Sequence, residues 1–167
     1  MSFVHTTNGC TLLPVTIRSV LGDRLVRWVV ELVAYGYELL PPGRVAEGSG
    51  EFALRARRPT HYGGPPATID VRELWMPGAD PDGLGLEQHG CYLEISGWHA
   101  QLLGSGDIGA MRVDVDRRKE PALVIHEHPL GRPNQVRVAA APLVSPERWI
   151  HQVEVGILDL YEVDGMD

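Results

Sequence analysis

His126 and His128 are the residues whose type and spacing point most directly to chemistry. They lie in Val124-Ile125-His126-Glu127-His128-Pro129, part of a run from Ala122 to Glu127 apolar enough for an interior strand. Successive side chains of a strand leave opposite faces, so residues two apart share a face, with Cα atoms about 6.6 Å apart. Two imidazoles so placed can hold one divalent metal, or serve as acid and base on one substrate. A catalytic zinc takes three protein ligands and keeps one position open, so the pair needs a further group. Met111-Arg112-Val113-Asp114-Val115-Asp116 supplies it: Asp114 and Asp116 share a face of the preceding strand, which returns toward His126 through a short turn. The candidate metal set is His126, His128 and Asp116, with a divalent metal as the candidate cofactor, and the pair could also act without one. The expected catalytic set is His126, His128, Asp114 and Arg112. His99 and His151 are further candidates, and the plain alternative is that the paired histidines are surface or turn residues bonded to nearby backbone.

The same stretch can be set against known patterns. His126, His128 and Gly131 match the His-x-His-Pro-x-Gly core of JAMM-type metalloproteases, but 133–141 contains no Asp to complete that triad. A wider match runs from Met111-Arg-Val-Asp-Val-Asp116 through Pro121 and His126-x-His128-Pro to Ser145-Pro-Glu and an amphipathic helix. In this order of motifs the chain resembles small toxins of the TumE kind, over about Glu51 to Glu162. The resemblance implies one half of a toxin–antitoxin pair, with Arg112, Asp114, His126 and His128 as the residues to test. A phosphodiester or another polar molecule would be the substrate.

Composition bounds these readings. The chain has 167 residues, 44% of them hydrophobic, enough for one domain with its own core and no need of disulfides to fold. Its two cysteines, Cys10 and Cys91, stand in no motif. Twenty-two acidic against 15 basic residues give a net charge of −7, which disfavours nucleic acid as a partner. A protein partner, or a second copy of the chain, fits better. Hence the alternative function is a non-catalytic acidic module (antitoxin, immunity or assembly protein) that engages a basic protein. A weaker alternative is a small-molecule cavity lined by Trp98, Tyr92 and His99. Basic clusters at Arg55, Arg57 and Arg58 and at Arg117, Arg118 and Lys119 read as solvated strand edges and turns. No basic or apolar leader and no membrane-length apolar run is evident, so the expected location is cytoplasmic and off the membrane.

The elements that must position these residues follow from periodicity. Leu25, Trp28, Val29, Leu32 and Val33 recur at helical spacing, predicting a helix over about 23–35, capped by Asp23 and closed by Gly36. Tyr37 to Leu40 is a short strand stopped by Pro41-Pro42-Gly43. Alternation predicts strands at Glu51–Arg57, Thr68–Trp75, Cys91–Ser96 and Ala110–Asp116, then Ala122–Glu127 and Val136–Val144, with Met76–Gly90 a long loop. Ser145-Pro146-Glu147 opens a terminal helix over about 146–162. The expected fold is α+β: a two-layer sandwich of a mainly antiparallel sheet over about 51–144, with two amphipathic helices on one face, forming one domain over 1–167. Function is then expected on the wet face.

Overall fold

A computed structural model of the protein describes residues 15–46, 49–59, 65–104, 110–121, 124–132, 134–139 and 144–164. The elements are α1 (Val15–Ala34), β1 (Glu38–Ala46), β2 (Glu51–Arg58), β3 (Ala67–Pro77), β4 (Glu87–Gln88), β5 (Cys91–Leu102), β6 (Ala110–Asp116), β7 (Ile125–His128), β8 (Arg137–Val138) and α2 (Pro146–Asp164). The strands form one sheet in the order β1-β2-β3-β5-β6-β7-β8, with β4 paired to β5 beside this path. Every pairing is antiparallel. The α+β class is therefore as expected, with one helix before the strands in the chain and one after.

Three tryptophans mark where the layers meet. Trp28 of α1 meets Trp98 of β5 edge-on at 4.8 Å between ring centroids, and Trp149 of α2 lies 5.8 Å from Trp28 and 5.7 Å from Trp98. All three are fully buried. Both helices thus press on the same face of the sheet, which leaves the other face to solvent.

Helix α1 begins at Val15 rather than Asp23, because Ile17, Val20 and Leu21 carry the apolar stripe about two turns further back. Asp23 is therefore mid-helix, and its Oδ2 lies 2.7 Å from His89 Nε2. The C-terminal cap is as the sequence predicts. Gly36 has φ 78°, its N–H donates to Val33 O, and the Tyr37 N–H donates to Leu32 O, the paired closure that a left-handed glycine permits. Strand β1 runs on through Pro41 and Pro42 instead of stopping, with an irregular register between Leu40 and Arg44. It is an edge strand, where missing N–H groups cost no ladder bonds.

Two buried ionic networks fasten the helices to the sheet. Glu73 of β3 is fully buried and accepts four hydrogen bonds: Arg24 Nε (2.9 Å), Arg24 Nη2 (2.6 Å), Trp28 Nε1 (3.0 Å) and Trp75 Nε1 (2.8 Å). Arg58 of β2, also fully buried, pairs with Glu154 of α2, whose other oxygen accepts the Tyr37 hydroxyl at 2.7 Å. Burial and the nearby Glu154 carboxylate push the Tyr37 hydroxyl well above its ordinary pKa. Arg58 is thus internal and not part of a solvated cluster.

The same holds for Arg117, which follows β6 and is almost wholly buried. Its guanidinium reaches Asp80 Oδ1 at 2.8 Å and Asp82 Oδ2 at 2.5 Å, and lies 5.1 Å from the Tyr92 ring centroid. Asp80 in turn accepts the backbone N–H groups of Asp82, Leu84 and Leu86 at 3.0–3.1 Å. The segment between β3 and β5 is therefore a wired loop. Burial favours a raised pKa for Asp80, but Arg117 and these N–H donors outweigh it and hold the carboxyl below its ordinary range. A carboxyl depressed on folding adds stability that is complete above the unfolded-chain value of about 3.9 and is lost as pH falls through the folded value. Asp80→Asn is accordingly expected to lower the melting temperature at pH 7 and to flatten its decline below about pH 4. The decline is not abolished, because Asp116 and Glu147 are held low as well. Melting curves from neutral to acid pH check this; a wild-type acid limb in the variant contradicts it.

Candidate metal centre

The solvent face is organised by strand register. Arg72 of β3 pairs with Gly97 of β5, Gly97 with Asp114 of β6, and Asp114 with His126 of β7. One step along, Asp70, His99, Arg112 and His128 form a second row. Neighbouring strands lie about 4.8 Å apart, so Asp114, Arg112, His126 and His128 form one compact block. Strand β7 is held there from both sides. The Asp116 N–H donates to Val124 O and the Ala139 N–H to Ile125 O, each at 2.9 Å. Beyond His128, Leu130 seats on Gly156 of α2, where a Cβ would lie 3.0 Å from Leu130 Cδ2. A glycine that costs the helix about 1 kcal/mol relative to alanine thus makes room for the loop that fixes the histidine segment.

Within the block, Asp114 Oδ2 lies 3.5 Å from His126 Nε2 and 3.9 Å from His128 Nε2. The three ligand atoms all fall within 4.8 Å of one another. Bonds of about 2.0–2.1 Å to a tetrahedral metal would space its ligands by about 3.3 Å. The Asp114–His126 separation is close to this already, and His128 Nε2, at 3.9 Å from the carboxylate oxygen, must approach to close the set. Asp114 and His126 are buried while His128 is half-buried, so the open side of the set is at His128. The rings stand 5.7 Å apart at 65°.

Asp114, expected among the catalytic residues, is the carboxylate that clusters with the two histidines, whereas Asp116, expected as the metal carboxylate, is not in this cluster. Asp116 lies two residues further along β6 and is clasped by Arg118, with Oδ1 to Nε at 2.8 Å and Oδ2 to Nη2 at 2.9 Å. Those hydrogen bonds outweigh burial and hold its carboxyl below the ordinary range. Arg112 donates from Nε to Asp114 Oδ2 at 2.5 Å, so it stands beside this cluster. Gly97 is the participant that sequence reasoning missed. A Cβ there would come 3.3 Å from Asp114 Oδ1, so the glycine lets the carboxylate lie across β5. Only the register reveals this.

The expected cavity of Trp98, Tyr92 and His99 is corrected. Trp98 points into the core between Trp28 and Trp149, Tyr92 lies beneath Arg117, and His99 is on the solvent face beside Arg112. Adjacent residues of one strand cannot line one pocket from opposite faces. His151, on α2, is exposed, with Nδ1 3.4 Å from the Tyr35 hydroxyl.

The histidine block opens into a groove of about 710 Å³, within the range of ligand sites. Arg72, Arg112, Arg118 and Lys119 line it against only Asp114 and Asp116. Three of these cations are paired, Arg112 with Asp114, Arg118 with Asp116 and Arg72 with Glu51, so the excess positive charge where the histidines converge is small. Among the described residues no helix is long and apolar enough to cross a membrane. No family model matches the chain, nor does any curated protein or solved structure.

Proposed function

We propose that the protein is a metal-dependent enzyme that cleaves an anionic ester, a phosphodiester in the leading case, at Asp114, His126 and His128. The observation that carries this is the convergence of one carboxylate oxygen and two imidazole nitrogens within 4.8 Å in an open groove. Three protein ligands with an accessible fourth side is the arrangement of a catalytic zinc. Such an ion lowers the pKa of a bound water to about 7 and polarises an ester oxygen. The chain supplies the rest: Lys119 adds positive charge at the groove, and Arg112 lies against the Asp114 carboxylate, within reach of an anion bound there. A toxin-type role on RNA is the biological form of the proposal, since the residues that carry the TumE-type resemblance are the ones that meet here.

The test is turnover of bis(p-nitrophenyl) phosphate and a short RNA with added zinc or manganese. Metal-dependent cleavage is expected, stopped by a chelator and lost in His128→Ala with little change in melting temperature, because His128 is half-buried. Equal turnover by His128→Ala, or no cleavage of either substrate with metal, contradicts the proposal.

A further inference from the structure

We infer that Arg112 and a metal held by Asp114, His126 and His128 together form an oxyanion site, in which metal and a tetrahedral phosphate or phosphonate group bind cooperatively. This rests on the metal centre proposed above and adds the ligand class that the site selects and the order in its filling.

One atom carries the inference. Asp114 Oδ2 accepts Arg112 Nε at 2.5 Å, and the same oxygen is the one that faces His126 Nε2 at 3.5 Å and His128 Nε2 at 3.9 Å. A metal entering the set bonds to that oxygen at about 2.0–2.2 Å. It then stands roughly 4 Å from a guanidinium nitrogen that shares the oxygen. One carboxylate charge faces three positive charges, and the excess is repulsive at that distance. Two outcomes relieve it: Arg112 swings off Asp114, or an anion joins the pair. Either way the guanidinium is made available to an oxyanion only once metal is in place. A tetrahedral oxyanion offers one oxygen to the metal and others to the planar guanidinium fork.

The surroundings suit such a ligand. Half of the Arg112 side chain is exposed, so its free motion toward solvent is not blocked by packing. Arg112 and Asp114 line both the 710 Å³ groove and a second cavity of about 480 Å³. Arg72 and Gly97 also border both cavities. The glycine leaves the junction without a side chain, and Arg72 adds a second cation one strand away. An oxyanion at the junction therefore sits between Arg112, Arg72 and the metal position, with cavity on either side for the two substituents of a diester. Without metal, Arg112 is neutralised by Asp114 and Arg72 by Glu51 at 2.5 Å, so the junction holds little unbalanced charge.

The test is calorimetric titration of the full chain with cobalt(II) alone, with phenylphosphonate alone, and with each in the presence of the other. Wild type is expected to bind each ligand about tenfold or more tightly when the other is saturating, by the same factor in both directions. Arg112→Gln is expected to bind cobalt alone at least as tightly as wild type and to lose the coupling. Arg112→Lys keeps the charge without the fork and is expected to show reduced coupling, which guards against a folding defect in the first variant. Arg72→Gln is expected to weaken phenylphosphonate while retaining the coupling. Cobalt binding by wild type with no coupling overturns this inference and leaves the metal centre standing. Coupling undiminished in both Arg112 variants overturns the role of Arg112. Failure of wild type to bind cobalt at all removes the metal centre, and this inference with it.

Discussion

Asp114→Ala is expected to weaken divalent-metal binding by more than about a hundredfold. Partners that merely orient a metal ligand cost about 10–100-fold when removed. Asp114 is itself one of the three proposed ligands, and it is the only charged one. Its loss leaves two imidazoles beside an Arg112 guanidinium with its carboxylate gone, so the remaining site repels a cation. Asp114→Asn keeps the shape without the charge and is expected to fall between Ala and wild type. Asp116→Ala is the decisive comparison. Its carboxylate is clasped by Arg118, so metal affinity should be little changed. Competition against a chromogenic chelator gives all three values. Equal losses at 114 and 116 would show that the groove binds metal by diffuse charge alone.

Arg24→Met and Glu73→Leu are each expected to destabilise the fold by about 3–5 kcal/mol, the usual cost of leaving one partner of a buried pair without the other. Both side chains are buried, Glu73 completely. Arg24→Met leaves the carboxylate with only the Trp28 and Trp75 indole donors. Glu73→Leu leaves a guanidinium in the core near the Trp75 and Trp98 rings, 5.5 and 5.6 Å from their centroids. The double variant removes both charges and is expected to recover much of the loss, because well-packed apolar replacements of a buried pair are often neutral. Recovery is incomplete, since two indole N–H groups lose their acceptor at about 1–3 kcal/mol each. Urea denaturation of the four proteins measures the coupling. Single variants that lose less than about 1 kcal/mol would contradict the assigned role of the pair.

What the sequence discloses depends on whether a feature is local. Alternation located β2, β3 and β6 because each buries one face, and the His126-x-His128 pair fell on a common face for the same reason. Strand β5 was only half legible. Leu74 pairs with Ile95 and Trp75 with Leu93, so Glu94 is an extra residue. The phase reverses there, putting Ser96 and Trp98 toward the helices and Ile95 toward the groove. Glu73 and Arg58 break the hydrophobic pattern at core positions and find their partners 49 and 96 residues away, which no local signal carries. The choice between Asp114 and Asp116 was hidden for the same reason. Both share a face of β6, and only the β6–β7 register, together with Arg118, separates ligand from bystander. Parts of the expected strands, 122–123 and 140–143, lie outside the described residues.

The most direct measurement is anomalous diffraction from a crystal soaked in dilute zinc. One strong peak is expected about 2.0–2.2 Å from an oxygen of Asp114 and from Nε2 of both His126 and His128, with its remaining side open to the groove. Zinc bound instead at an exposed pair such as Asp23 and His89, with nothing between Asp114 and the two imidazoles, would contradict it.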